Sequence, residues 1–326
     1  MFPIIHQPAS TIALLTILAS ICLAAGPPKS LAPDVVSSNI PTTTTTFADI
    51  DPRFEVRPIF WGPKIQSMAC LMNAVNALTN MALQDIRAPM GETTYEHADH
   101  PNSAITLFPE NWQQRGQIER RFAVWGLFLA VYAMTTTGNY HCNTFHLLWD
   151  DKEVGTLCFS KGIITSSAND PQRQGLLSLD NTTTPLLLST ASTSNSPVLS
   201  ISILFLPTVF PLQNFFMAVL SALTELAFFK NKDVGIEHFT PDVAPVPASV
   251  AFYAWRTNPK ARVPLITPRH IIETLGHVPA LMLARRKFSE ADIMMRLDRV
   301  DAGLGRLRNV DESGGSVQGT RNVTVA

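Results

Sequence analysis

The densest group of side chains able to do chemistry lies at residues 95 to 100, where Glu96, His97, Asp99 and His100 crowd into one short stretch. Imidazole nitrogens and carboxylate oxygens suit first-row divalent metals, and a loop between a helix and a strand can bend three of them round one ion. His97, Asp99 and His100 are therefore the candidate metal ligands, with a solvated loop as the alternative. A second group, His141, Cys142, His146 and Cys158, surrounds a predicted hairpin. With Asp151 and Lys152 as its turn, Phe145 lies opposite Cys158 and His146 opposite Leu157. These side chains then alternate between sheet faces and build neither a zinc site nor an opposed cysteine pair.

The tail carries Asp311-Glu312-Ser313-Gly314-Gly315, a local form shared with trypsin-like nucleophiles. A serine in a Gly-rich terminal stretch lacks the packed barrel, base and oxyanion hole that would activate it. The chain has no G-x-S-x-G, H-E-x-x-H, G-x-G-x-x-G or P-loop pattern, so no catalytic residue, no cofactor and no enzyme class is expected. Trp61, Trp112, Trp125, Trp149 and Trp255 could line an apolar pocket or pack in the core.

The elements that must position these residues repeat themselves. Phe60, Met72, Ala77, Leu78, Thr79 and Ala82 recur 145 positions later as Phe205, Met217, Ala222, Leu223, Thr224 and Ala227. Leu71, Val75, Leu78 and Ala82 fall on one face of a 3.6-residue period, with Asn73, Asn76 and Asn80 opposite. Phe216, Leu220, Leu223 and Ala227 repeat that apolar face.

The first half then reads as a strand (54 to 61), a helix to about 85, a strand (104 to 108), a helix from about 118 to 134, and a hairpin of 144 to 150 with 154 to 160. The second half offers a strand (199 to 206), a helix to about 229, a strand (249 to 255), a helix from 268 to about 286, and a hairpin of 293 to 299 with 304 to 310. Thr267 before Pro268 is an N-terminal capping pattern, and Pro279 would kink the helix it opens. Turns are expected at Asp150 to Glu153 and at Asp301 to Gly303.

The fold class expected is α+β: two β-α-β-α-β-β repeats related by a pseudo-twofold axis, with helices packed on mostly antiparallel or mixed sheets. The boundaries are a signal peptide (1–25), a mobile segment (26–50), the first half (51–160), a Ser/Thr/Asn/Pro-rich linker (161–197), the second half (198–310) and a disordered tail (311–326).

The uncharged apolar run from Thr11 to Ala25, ending in small residues, reads as a secretory signal, with an uncleaved anchor as the alternative. Asn181 and Asn322 head Asn-x-Thr triplets and are candidate glycosylation sites in a secreted chain. Phe122 to Met134 is too short to span a bilayer, for which about 20 apolar residues are needed. No stable membrane insertion is expected after signal cleavage. Once Cys22 leaves, Cys70, Cys142 and Cys158 remain, and buried thiols are expected. Net charge is -1, which gives the whole chain no bias toward nucleic acid. Residues 251 to 310 hold eleven Lys or Arg and five Asp or Glu, a local excess that would suit an anionic partner if it is more than a solvated face.

The order of strand, helix, "RRFAVWGLF" and "VGTLCF" after a signal peptide resembles uncharacterised secreted proteins of filamentous fungi, over residues 50 to 310. The resemblance implies an extracellular location and no particular activity. The reading that follows is a secreted, non-catalytic binding or structural module built by internal duplication. The alternative is an extracellular enzyme or small-molecule carrier with its site between the halves. Mass spectrometry of the secreted chain should find an N-terminus at Ala25 or Gly26; a chain still beginning at Met1 would mean that the apolar run is retained as an anchor.

Overall fold

In the computed structural model the described residues are 50–110, 117–162, 198–241, 248–255 and 266–309, with only the backbone described at Phe60 and Trp61. All belong to one body, residues 45–326. The expected signal, the expected mobile segment up to Asp49, the linker beyond Gly162, the tail, both sequons, Ser313 and Trp112 lie outside the described residues.

The first half runs β1 (Phe54–Lys64), α1 (Ser67–Ala82), β2 (Pro89–Met90), β3 (Thr93–His97), β4 (His100–Pro109), β5 (Ile118–Glu119), α2 (Arg120–Thr137), β6 (His141–Trp149) and β7 (Lys152–Ser160). The second runs β8 (Leu199–Val209), α3 (Leu212–Ala227), β9 (His238–Phe239), β10 (Ala248–Ala254), α4 (Pro268–Ala284), β11 (Ser289–Leu297) and β12 (Val300–Asn309). Every element expected from periodicity is present, and β2, β3, β5 and β9 are added. All strand pairs are antiparallel, and each half forms its own five-stranded sheet, β1-β6-β7-β4-β3 and β8-β11-β12-β10-β9.

The two sheets agree down to their irregularities. Phe60 pairs with Asn143 and Lys64 with His141 across a bulge in β1; Phe205 pairs with Ala291 and Val209 with Ser289 across a bulge in β8. Leu147 pairs with Gly155 and Leu148 with Glu153 around a bulge at Val154; Met295 pairs with Gly303 and Arg296 with Asp301 around one at Ala302. Both hairpins turn on two residues with positive φ, Asp150 and Asp151 in one and Asp298 and Arg299 in the other, the backbone that a twisted two-residue hairpin needs. Bulges and turns at equivalent positions make the repetition architectural, beyond two helices with similar faces.

These details correct the sequence reading in two places. The second turn is Asp298-Arg299 and not Asp301 to Gly303. Gly303 is required by space, since a Cβ there would sit 2.8 Å from the Tyr253 carbonyl oxygen. In the first hairpin the turn is Asp150-Asp151 and the bulge adds a residue, so Phe145 faces Leu157 and His146 faces Thr156. His146 and Cys158 therefore share the outer face of the sheet, where Cys158 lies opposite Thr144.

The helices form the middle of the molecule. α1 packs on β3 and β4 of its own sheet and also against α2, α3 and α4; α3 packs on β10 and against α1, α2 and α4. Each first helix thus touches both helices of the other half, as exchange about a twofold requires. Enclosure narrows the polar face of α1 without removing it: Asn80 is exposed and Asn76 half-buried. Asn73, placed by periodicity on a polar face, is fully buried, and its Nδ2 donates to the Ser103 carbonyl at 2.6 Å and to Ser103 Oγ at 2.7 Å. One apolar core runs through both halves, joined where Trp125 of α2 stacks on Phe228 at the end of α3, 5.3 Å between ring centroids.

Helix ends are closed by specific hydrogen-bond partners. Thr267 caps α4 in a reciprocal box with His270, Gly138 ends α2 in a left-handed conformation, and Lys232 Nζ donates to the carbonyls of Ala227 and Phe229 at 3.0 Å beyond α3. Pro279 lies inside α4, which continues to Ala284. Cys70 and Cys142 are buried thiols, whereas Cys158 is partly exposed. No helix among the described residues is long and apolar enough to cross a membrane.

Packing between the halves' inner faces is compensated rather than copied. Leu107 faces Leu157 in the first sheet, and the same pair of positions in the second holds Phe252 and Gly305. A Cβ on Gly305 would come within 2.5 Å of the Phe252 ring. Gly305→Ala should therefore lower unfolding free energy by about 1–3 kcal/mol, the usual cost of overpacking, and adding Phe252→Leu should recover part of that loss in urea titrations.

Candidate binding surface

The outer face of the second sheet is built by simple alternation along β10. Val250 and Phe252 point into the core, so Ser249, Ala251 and Tyr253 point outward. Trp255 continues the ladder, its N–H donating to the Ala302 carbonyl at 2.8 Å, and shares the outward phase. Tyr253 is 37% and Trp255 40% exposed. Two residues apart on one strand face, they stand about 7 Å apart.

Neighbouring strands frame these two rings. His238 on β9 stacks on Tyr253 at 4.8 Å, and the Arg306 guanidinium on β12 lies 5.6 Å from the same ring. The row through Tyr253 continues as Leu304, Met294 and Ser202 across β12, β11 and β8. Charges border it on both sides. Asp292 pairs with Arg308 and, at 3.9 Å, with Arg306; Arg296 pairs with Asp301 at 2.6 Å. His238 Nε2 lies 2.7 Å from Thr240 Oγ1. The result is an apolar, partly aromatic strip between ion pairs whose arginines keep further N–H groups for a ligand.

Of the basic residues expected to attract an anion, Arg296, Arg306 and Arg308 are held in these ion pairs and Arg269 is bound to Asp233 at 2.7 Å. Arg285, Arg286 and Lys287, following α4, form no ion pair among the described residues; Lys287 instead lies over the Phe205 ring at 5.3 Å.

The residues proposed to hold a metal are placed differently from expectation. Residues 95 to 100 form the β3–β4 hairpin rather than a loop, with His97 paired to His100 across a two-residue turn. Their rings come within 5.2 Å. His97 Nδ1, however, accepts the Asp99 N–H at 3.2 Å, which leaves the proton of a neutral ring on Nε2. Burial and the neighbouring His97 hold His100 below its usual value. Among the described residues no group of three or more His, Cys, Asp or Glu is placed to hold a metal ion. Of the other group, His146 is held by Glu153 at 2.9 Å, and His141 Nδ1 lies 3.1 Å from the Gly62 carbonyl.

Among the described residues the tryptophan side chains divide between the two halves. Trp125 and Trp149 belong to an aromatic cluster with Phe54 and Phe122, and Arg53 lies 4.2 Å over Trp149. Trp255 stands on the other sheet.

A second polar stripe went unnoticed in the sequence. His270, Glu273 and His277 lie on one face of α4, all partly buried. Arg121 and Arg269 donate their N–H groups to Ile86 and Lys232 at equivalent points, so this stripe corresponds to Phe122, Trp125 and Leu129 of α2. Where the first half fills its junction with aromatic rings, the second carries titratable groups and Gly276. A Cβ on Gly276 would meet Thr79 of α1 at 2.8 Å, and Thr79 Oγ1 is buried without a hydrogen-bond partner. The spacing H-x-x-E-x-x-x-H was the available signal.

No family model and no curated protein matches the chain. A solved structure similar to it is the tandem DUF26 ectodomain of the Arabidopsis thaliana cysteine-rich receptor-like protein PDLP8, at 10% identity and a TM-score of 0.22, over 78% of this chain and 98% of that one. A likeness at that score supports neither a shared fold nor a shared function.

Burial holds Glu273 above its usual 4.5 and holds His270 and His277 below their usual 6.5. The histidines therefore favour the folded state at neutral pH, and that contribution falls as pH drops below 6.5, where the unfolded chain takes up protons first. Glu273 works in the other sense, costing stability as pH rises above 4.5, where the unfolded chain ionises first. Glu273→Gln should accordingly raise the melting temperature at pH 7 and leave it little changed at pH 4, read by thermal denaturation at both values.

Proposed function

We propose that this chain is a secreted, non-catalytic binding module whose ligand lies on the outer face of the second sheet. The observation that carries the reading is the pair Tyr253 and Trp255, exposed on one strand face and bordered by ion-paired arginines. Large aromatic rings left open on a solvated sheet gain by covering a flat apolar face, and flanking charged groups hydrogen-bond to hydroxyls. A polysaccharide offers both. The sites in the notional cleft between the halves are less favoured, because the shared core fills the described junction between α2 and α3.

A small-molecule site between α1 and α4 is also less favoured, because Gly276 lets the helices meet so closely that a Cβ there would come within 2.8 Å of Thr79.

Affinity electrophoresis in gels containing hydroxyethylcellulose, laminarin or xylan tests the sheet-face reading. The protein should be retarded by at least one of these polymers, and Tyr253→Ala or Trp255→Ala should weaken retention about tenfold, the equivalent of one aromatic contact. No retardation by any of the three, or retardation indifferent to both substitutions, would remove the proposal.

A further inference from the structure

The two sheets treat their equivalent edge strands in opposite ways. Among the described residues β1 and β8 each lie at one end of their sheet, and each pairs with a single strand. Asp298 N–H donates to the Val198 carbonyl at 3.0 Å, and Val198 N–H donates to Asp298 Oδ1 at 2.8 Å. Even-numbered residues of β8 therefore present their backbone groups to β11, and Leu199, Ile201, Ile203 and Phe205 present theirs to the free edge. Asp150 N–H donates to the Arg53 carbonyl in the same way. In β1 the outward positions are consequently Phe54, Val56, Pro58 and Phe60.

At the position where β8 has Ile203, β1 has Pro58, which has no N–H to offer. Where β8 has Ser200 and Ser202, β1 has Glu55 and Arg57, bound to each other at 2.9 Å, with Arg57 also 3.4 Å from Asp151. Lys64 of β1 corresponds to Val209 of β8. Proline and charge are the usual guards of an exposed edge. Across all eleven residues of β8 there is no charged side chain, its one proline, Pro207, lies beyond Phe205 in the bulge, and Leu204 and Val209 are 62% and 74% exposed.

We propose that β8 is a self-association edge, on which a second copy of this chain adds its own β8 antiparallel to the first. The strand is complementary to itself. About a twofold axis through Ile203, the outward N–H and carbonyl groups of Ile201, Ile203 and Phe205 meet those of Phe205, Ile203 and Ile201 of the other copy, and Ser202 of one copy faces Leu204 of the other; the ladder ends where Leu199 meets Pro207, which has no N–H. With no charge between 199 and 209, the twofold brings no like charges together. The two five-stranded sheets become one of ten, and the exposed Leu204 is covered. An axis that makes strands antiparallel also keeps equivalent faces on one side, so both Tyr253–Trp255 strips face the same way and could engage one extended ligand.

Sedimentation velocity of the purified protein at concentrations up to about 100 µM tests this. The wild type should shift from monomer to dimer as concentration rises. Ile203→Pro, which installs the residue of the first half, and Ser202→Lys, which places a guard charge on the outer face, should each remain monomeric with unchanged circular dichroism. Ile59→Lys, at the β1 position equivalent to Leu204, should still dimerise. Ser202→Lys carries the test alone if Ile203→Pro fails to fold. A wild type that stays monomeric, with or without capture of some other protein's strand, overturns the proposal, and so does a dimer that survives both β8 substitutions.

Discussion

The enclosure of α1 and α3 is the constraint on which the rest depends. Each lies between its own sheet and the helices of the other half, so neither keeps more than a narrow strip for water, which in α1 is Asn76 and Asn80. Their remaining sides are apolar, and Asn73, fully buried in α1, donates to Ser103. The same enclosure makes the two halves inseparable in energetic terms. Removing one would expose the shared core, including the Trp125–Phe228 stack, to solvent. The outer sheet faces bear no such load, and they are where the two halves have diverged most in chemistry.

That divergence is legible because the matched registers define equivalence residue by residue. Leu107 with Leu157 and Phe252 with Gly305 fill equivalent space with the volume moved from one strand to its neighbour. Such exchanges keep a core filled while losing any trace of repetition in the residues themselves. At the helix junctions the replacement changes chemistry, since Trp125 and Phe122 give way to Glu273 and His270. On the outer faces the first sheet carries Thr94 against Thr106 and His146 against Glu153, whereas the second carries Tyr253 among arginines. The first half is closed and guarded at its edge; the second is open at the corresponding places.

Much of the architecture could be read from residue patterns. Alternation and helical period located the four helices and the eight long strands, because burial against a common core imposes apolar residues at those spacings. The short strands β2, β3, β5 and β9 escaped, since two to five residues give too few repeats to show a period. The hairpin register escaped as well. A bulge at Val154 has no residue signature, and Gly303, which resembles a turn glycine, is small because the Tyr253 carbonyl leaves it no room. The candidate surface was less legible than the fold. Residues 95 to 100 drew attention through composition alone, while Tyr253, Trp255, His238 and Arg306 come from three strands separated in the chain and meet only through pairing.

The amino-acid sequence by itself determined the α+β class, the duplication and the buried stripes, because each of these is a local periodicity or a comparison of one stretch with another. Tertiary structure alone decided that part of the polar face of α1 is covered, which turned Asn73 from a surface residue into a core one while Asn80 stayed exposed. It also decided that His97 meets His100 with no third ligand among the described residues, and that β8 has an open edge while β1 is guarded. Those outcomes depend on which elements lie beside which, and adjacency between distant segments is set by the packing of the whole core rather than by any short stretch within it.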